Sequence, residues 1–177
     1  WLKANPRAKV IMFDIWKHDY AACGEKFLRS QESSKYFRST PDSPAVAERL
    51  TIVKGSSVET VPKFHTEHPS EKCDLISIDG GHDYDTAFAD IANMQALANP
   101  DSSLVFLDDT NCSPSYCKGP TKALAQQVAR GAVNVIFSST EKQGRVGVTV
   151  MTYNKGNAAF LDEHAADGQT GGDVSSH

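Results

Sequence analysis

Short apolar runs alternate with amphipathic stretches along the first 155 residues of the chain. The runs are continuously apolar, which is typical of strands in a parallel sheet with helices on both faces. Carboxylates, glycines or small polar residues follow most of them. We predict strands at Ala8–Asp14, Arg49–Ser57, Cys73–Asp79, Ser102–Asp109, Val133–Ser139 and Val146–Tyr153.

The clearest helix pattern lies between the third and fourth runs, over Asp83–Pro100. Either Asp83 or Asp85 can cap its start. A second helix is predicted over Gly119–Gly131, and Val58–His68 is interpreted as a short helix or an irregular segment. Spacings of 4, 3 and 4 residues place one apolar stripe on the first helix, formed by Ala87, Ile91, Met94 and Ala98.

Strands that alternate with helices indicate an α/β fold with a Rossmann-like, doubly wound, mostly parallel sheet. The last two strands are separated only by the polar turn "TEKQGR", which predicts an antiparallel hairpin at the C-terminal edge of the sheet. We expect one α/β domain over residues 1–155. A flexible tail is expected over 156–177, because this segment is rich in Gly, Asp, Ser and Ala.

Composition excludes some classes of partner. The 177 residues carry a net charge of −4 and a pI of about 5.8, which argues against a nucleic-acid-binding surface. The apolar runs are only a few residues long, so no segment is expected to span a membrane. We expect neither kind of partner, and a reducing, cytoplasmic setting is the default expectation.

The four cysteines are too few and too scattered for a disulfide scaffold. Cys73 heads an apolar run and is expected to be a buried thiol. Cys112 and Cys117 flank "SPSY" in one loop, where they would form either a local disulfide or half of a metal site.

Polar or small residues follow each of the first four predicted strands. In a doubly wound sheet, ligands bind beyond the carboxyl ends of the strands, so four such ends together predict a site. The residues are Asp14 after the first strand, Gly55-Ser56-Ser57 after the second, Asp79-Gly80-Gly81-His82 after the third, and Asp108-Asp109-Thr110-Asn111 after the fourth.

The residues after the first and second strands suit different parts of a ligand. A carboxylate such as Asp14 can accept the two hydroxyls of a ribose. Gly55 and Ser56 carry little side chain and suit a flat ring that lies close to the backbone. The bland alternatives are that Asp14 caps a helix and that Gly55 is only a turn residue.

Three carboxylates are expected at two neighbouring strand ends: Asp79, Asp108 and Asp109. Their repulsion calls for a cation, and oxygen ligands suit Mg²⁺, Ca²⁺ or Mn²⁺. His82 is either a further ligand or a general base. The two glycines of "IDGGH" are interpreted as letting a ligand approach the backbone. The structural alternative is that Asp79 caps the following helix.

The sequence "CDLISIDGGHDYDTAFADIANMQALANPDSSLVFLDDT" resembles class I S-adenosylmethionine-dependent methyltransferases, most closely methyltransferase family 24. "RLTIVKGSSVETVPKF" and "KVIMFDI" extend the resemblance, which runs from Lys9 to Tyr153. It is specific in "IDGGHDY" and "LDDT" and generic elsewhere.

The resemblance implies a metal-assisted O-methyltransferase that acts on a small hydroxylated molecule. The ribose of S-adenosylmethionine would bind Asp14, and Asp79 would also belong to the cofactor site. Gly55, Ser56 and Ser57 would lie near the adenine. Asp79, Asp108 and Asp109 would match the divalent-metal ligands of the metal-dependent branch, with His82 as the candidate base.

One departure from the family pattern is large: the sequence has no GxGxG loop, which in the family follows the first, central strand. We expect that first strand to be missing, with a gap between the strands that start near Lys9 and Cys73. The chain is then either a fragment or a domain that has lost cofactor binding. Exposed strand edges at the gap would favour association into a homo-oligomer.

Two other functions are left open by the sequence. A metal-dependent hydrolase would need the carboxylates and His82 but no glycine-rich loop. A non-catalytic interaction domain derived from the methyltransferase fold would need neither a metal nor the cofactor.

Overall fold

The computed structural model describes residues 5–15, 17, 19–30, 33 and 45–155. It divides the chain into two compact units, Trp1–Lys63 and Phe64–His177. The predicted tail at 156–177 lies outside the described residues. In the described part of the chain, no helix is both long enough and apolar enough to cross a membrane.

The first unit is built around two parallel strands. β1 (Val10–Asp14) pairs with β2 (Leu50–Lys54), and the last residues of the two strands lie opposite each other. Helix α1 (Asp19–Leu28) lies between them in sequence, and a 3-10 helix (Val46–Arg49) leads into β2. Helix α2 (Ser57–Glu67) follows and crosses the boundary between the units.

Charged residues tie parts of the first unit together. The Glu25 carboxylate of α1 lies 2.9 Å from Lys54 Nζ at the end of β2 and 3.0 Å from Arg29 Nε. Arg49 is buried, and its Nη1 donates to the carbonyl oxygens of Asn5 and Ala8, each at 3.2 Å. These bonds connect the segment before β1 with the entry to β2.

The second unit is a four-stranded sheet with the order β3-β4-β6-β5. β3 and β4 are parallel, and β6 is antiparallel to both β4 and β5. The mostly parallel α/β fold with an antiparallel closing hairpin is therefore confirmed. The strands are β3 (Leu75–Ile78), β4 (Leu104–Asp108), β5 (Val133–Glu141) and β6 (Val146–Tyr153).

Helices α3 (Tyr84–Met94) and α4 (Lys118–Ala129) contribute to the core of this unit. Because side chains alternate along a strand, every second residue of β3 and β4 points into this core. Short 3-10 helices follow α3 at Gln95–Leu97 and precede α4 at Ser115–Cys117. The buried cluster contains Ile76, Ile78, Ala87, Ile91, Ala98, Val105, Leu107, Ala123, Leu124, Val133 and Met151.

One expectation is refined. The segment after β2 is a complete helix, since α2 continues through Pro62. The described strands form two sheets, and the predicted gap between the strands that start near Lys9 and Cys73 stays a prediction.

Candidate functional site

The carboxyl ends of β3 and β4 form one side of a small pocket in the second unit. The parallel register sets Ile78 opposite Leu107, so the polar residues that follow each strand leave the sheet at the same edge. The pocket is lined by Ile78, Asp79, Gly80, Gly81, His82, Ala87, Leu107, Asp108, Asp109 and Pro120. The predicted site at these two strand ends is therefore a physical pocket with an apolar floor and a polar rim.

The turn after β3 packs directly against α3. A Cβ on Gly80 would lie 2.8 Å from Asp90 Oδ2, and one on Gly81 would lie 2.7 Å from Thr86 Cγ2. The Cβ position of each glycine is thus occupied by a side chain of α3, whereas both glycines also line the pocket, so their role in letting a ligand approach stays a prediction. Asp83 caps this helix, since its Oδ1 accepts the backbone N–H of Thr86 at 2.8 Å.

Helix α4 begins against the same turn. A Cβ on Gly119 would lie 2.1 Å from the carbonyl oxygen of His82 and 2.8 Å from the carbonyl carbon of Asp83. Such contacts are impossible for a side chain, so this position requires glycine. The turn that carries Asp79 and His82 is consequently held between the starts of two helices.

The loop after β4 is held by buried hydroxyls. Asp109 has a φ of 53°, a left-handed conformation, and Thr110 behind it is fully buried. Thr110 Oγ1 and Thr149 Oγ1 are hydrogen-bonded at 2.8 Å, and Thr149 Oγ1 also lies 3.1 Å from Ser138 Oγ. A Cβ on Gly147 would lie 1.8 Å from Thr110 O, so β6 also packs closely on this loop. These contacts fix the backbone from which Asp109 projects.

Three ligand-type side chains meet at the rim of the pocket. One ligand atom each from Asp79, His82 and Asp109 lies within 4.8 Å of the other two. His82 Nε2 lies 2.8 Å from Asp109 Oδ2, within the distance of an ion pair when the imidazole is protonated. Asp108 lines the same pocket and is not a member of this group of three. The structure therefore brings together the four residues that the sequence predicts for metal binding and catalysis.

The charges at the rim act on Asp79. Burial raises the pKa of its carboxyl, and the negative charges of Asp108 and Asp109 raise it further, while His82 acts in the opposite direction. This repulsion between carboxylates is the condition under which a divalent cation is favoured.

Sequence reasoning missed Tyr116, whose ring lies beside His82. The two ring centroids are 5.3 Å apart, and the Tyr116 hydroxyl donates to the carbonyl oxygen of Arg145 at 3.0 Å. Cys112 and Cys117 form a disulfide across this loop, one of the two alternatives that the sequence leaves open. No pattern around Tyr116 signals the contact, because it depends on the path of an irregular loop.

The remaining predicted residues lie in the first unit. Asp14 ends β1, and its carbonyl oxygen accepts the N–H of Gly55 at 2.9 Å. Gly55 has a φ of 135°, which only glycine adopts readily, so a structural role for this residue is certain. Ser56 O accepts Thr60 N and Thr60 Oγ1, both at 2.9 Å, and Ser57 opens α2. The cofactor-binding roles of these residues stay predictions.

A family model described as a methyltransferase domain, that of methyltransferase family 24, matches residues 1–110 of the chain. The chain belongs to this methyltransferase family. The resemblance noted in the sequence is thereby confirmed. No curated protein matches the sequence.

Two solved structures share the fold. The apo structure of CalS11, a TDP-rhamnose 3'-O-methyltransferase, matches 82% of this chain with 20% sequence identity and a TM-score of 0.57. OxaC in complex with SAH and oxaline matches 82% of the chain with 9% identity and a TM-score of 0.50. The chain spans 58% of the length of CalS11 and 36% of that of OxaC. Because the sequence identities are only 20% and 9%, these likenesses establish the fold alone.

Proposed function

We propose that this methyltransferase-family chain transfers a methyl group from S-adenosylmethionine to a hydroxyl of a small molecule, with the help of a divalent cation. The observation that carries the proposal is the group formed by Asp79, His82 and Asp109 at the carboxyl edge of the sheet. CalS11, which shares the fold, is an O-methyltransferase, and OxaC has been crystallised with SAH.

The donor set fits a hard cation. Mg²⁺ prefers carboxylate oxygens, is commonly held by one or two of them, and keeps several waters. Asp79 and Asp109 supply two carboxylates from different strand ends, and Asp108 adds a third negative charge at the pocket. A cation here would offset the repulsion that raises the pKa of Asp79.

His82 is the residue suited to take the proton from an acceptor hydroxyl. Its Nε2 lies 2.8 Å from Asp109 Oδ2, which leaves Nδ1 as the ring nitrogen that can take the proton. The side chain is 48% exposed, so an acceptor can reach it. The Tyr116 ring lies beside the imidazole and limits the orientations that it can adopt.

Asp14 would accept the ribose hydroxyls of the cofactor, near Gly55, Ser56 and Ser57. When bound, S-adenosylmethionine supplies an electrophilic methyl group, and the cation supplies positive charge that lowers the pKa of a nearby hydroxyl.

Calorimetric titration tests the proposal. Mg²⁺ should bind the wild-type chain, and Asp79→Asn or Asp109→Asn should weaken that binding at least about tenfold. Asp85→Asn is the matched control, because it removes an exposed carboxylate in the first turn of α3 that is outside the ligand group. S-adenosylmethionine should bind the wild type and lose affinity in Asp14→Ala.

Each other outcome selects a different function. Cofactor binding that ignores both Mg²⁺ and the carboxylate variants would leave a methyltransferase without a metal. Mg²⁺ binding without cofactor binding would favour a metal-dependent hydrolase. If neither ligand binds, the chain is a repurposed interaction domain.

A further inference from the structure

A second set of potential ligands lies behind the candidate site and shares one residue with it. Ligand atoms of Asp109, Cys112 and Cys117 lie within 4.8 Å of one another. The two sulfur atoms are joined as a disulfide, and Asp109 is also in the group with Asp79 and His82. We propose that reduction of the Cys112–Cys117 bond creates a site for a thiophilic divalent cation such as Zn²⁺, with Asp109 as its third ligand.

The spacing and the donor types fit such an ion. Four residues separate the two cysteines, within the range of two to four that is usual for cysteine pairs in zinc sites. Two sulfurs at their normal distance from a tetrahedral zinc ion are about 3.8 Å apart, a separation that two unbonded thiols can adopt. Two thiolates and one carboxylate would leave a fourth position for water, as in sites with three protein ligands.

The loop is anchored independently of the disulfide. Ser113 N donates to Gly144 O at 2.7 Å, Asn111 N donates to Thr121 Oγ1 at 2.8 Å, and the Tyr116 hydroxyl donates to Arg145 O. These bonds remain when the sulfur–sulfur bond is broken, so the thiols stay near each other and near Asp109.

The three ligand residues of this set differ in how far they are buried. Cys117 is fully buried, whereas Cys112 and Asp109 are partly exposed. Cys112 and Asp109 are therefore the two ligand residues of this set that solvent reaches.

The chemistry balances without further reactants. A tertiary phosphine and one water reduce the disulfide to two thiols, and the phosphine becomes the phosphine oxide. In thiol exchange, an external dithiol takes the same role and becomes the disulfide. Binding of the divalent cation then releases one proton from each thiol.

The site has a consequence for the proposed function, on which this part of the inference rests. Asp109 is needed both by the thiol pair and by the group with Asp79 and His82. A zinc ion on the thiols would therefore weaken Mg²⁺ binding at the pocket, and the redox state of one loop would decide which cation the chain holds.

Cobalt(II) tests the thiol site directly, because thiolate ligation gives a ligand-to-metal absorption band in the near ultraviolet. The full chain with Cys23→Ser and Cys73→Ser retains only the loop pair, since these two are the free cysteines. We expect the band at one Co²⁺ per chain after phosphine reduction, and no band before it. Asp109→Asn should weaken Co²⁺ binding at least about tenfold.

Further replacement of Cys112 and Cys117 by Ser should abolish the band. If that variant does not fold, alkylation supplies the second measurement: bound Co²⁺ should protect both loop thiols from iodoacetamide, as counted by mass spectrometry. Absence of the band in the reduced chain, or equal alkylation with and without the ion, overturns the proposal.

Competition separates this inference from the proposed function. Zn²⁺ on the reduced chain should lower Mg²⁺ affinity at least about tenfold. A thiolate band with unchanged Mg²⁺ affinity would overturn the sharing of Asp109. A thiolate band in a chain that never binds Mg²⁺ would remove the metal-assisted function and leave the thiol site standing.

Discussion

At the scale of single residues, the candidate site depends on positions where a side chain is forbidden. Gly80 and Gly81 let α3 approach the turn after β3, and Gly119 lets α4 begin against the carbonyl of His82. Gly147 serves the neighbouring loop in the same way. The ligand residues are thus placed by backbone contacts as much as by their own hydrogen bonds.

Gly119→Ala should destabilise the chain because the new Cβ would lie 2.1 Å from a backbone oxygen that cannot move without shifting the turn. We expect a loss of about 1–3 kcal/mol in the free energy of unfolding, measured by urea denaturation. Gly24→Ala in α1 is the control, because nothing lies within 4 Å of its Cβ position. That change should stabilise the helix slightly. Equal stability of the two variants would contradict the packing described for α4.

At the scale of elements, α3 is the segment that connects the pocket with the core. Its first turn follows His82 and is capped by Asp83, while Ala87 and Ile91 are buried. Tyr153 of β6 donates to Ile91 O at 2.6 Å, which ties the helix to the sheet. A substitution that shifts the start of α3 should therefore also shift His82, which lies just before the cap.

Asp83→Ala should lower the free energy of unfolding by about 1 kcal/mol, the usual cost of losing such a cap. The hydrogen bonds that Asp83 accepts from Thr86 lower the pKa of its carboxyl. Its contribution is thus present above the unfolded-state pKa, near 4, and is lost as the pH falls through the lower folded-state value.

Asp83→Asn keeps a capping oxygen but does not titrate, so its comparison with the wild type isolates this effect from other groups. The stability advantage of the wild type should shrink between pH 7 and pH 3 in urea denaturation. An advantage that is constant over this range would mean that the Asp83 charge does not contribute.

At the scale of the whole molecule, the described strands differ in how many partners they have. β4 and β6 each pair on both edges, whereas β1 and β2 form a two-stranded sheet within their own unit. A two-stranded sheet is marginal unless other elements pack on it. Local stability should consequently differ between the two units.

Hydrogen exchange followed by mass spectrometry should show this difference. Peptides that cover β4 and β6 should exchange most slowly, and those that cover β1 and β2 should exchange faster, because opening the smaller sheet breaks fewer contacts. Peptides from α1 give an internal reference for helical segments of the first unit. Protection of β1 equal to that of β4 would show that the first unit is stabilised as strongly as the second.

Much of the fold follows from local patterns in the sequence. Continuous apolar runs identified the strands, and the short polar connection before Val146 indicated the antiparallel hairpin. Asp83 was one of two possible caps, and the structure selects it. The predicted carboxylates do gather at one edge, because parallel strands end on the same side.

Other features could not be read from the chain, because they depend on contacts between distant segments. The ligand atoms of Asp79, His82 and Asp109 lie within 4.8 Å of one another, and this closeness depends on the left-handed backbone at Asp109. The approach of Tyr116 depends on an irregular loop. The packing of α3 against Gly80 and Gly81 depends on the tertiary fold, because sequence alone does not show which helix lies against them.

The left-handed backbone at Asp109 limits how this position can evolve. Asp, Asn and Gly tolerate that conformation, while β-branched and bulky residues strain it. Most substitutions would strain the backbone at Asp109 and would also remove its carboxylate from the group with Asp79 and His82. If the carboxylate were lost while the domain was kept, asparagine and glycine are therefore the replacements that would fit the backbone at this position.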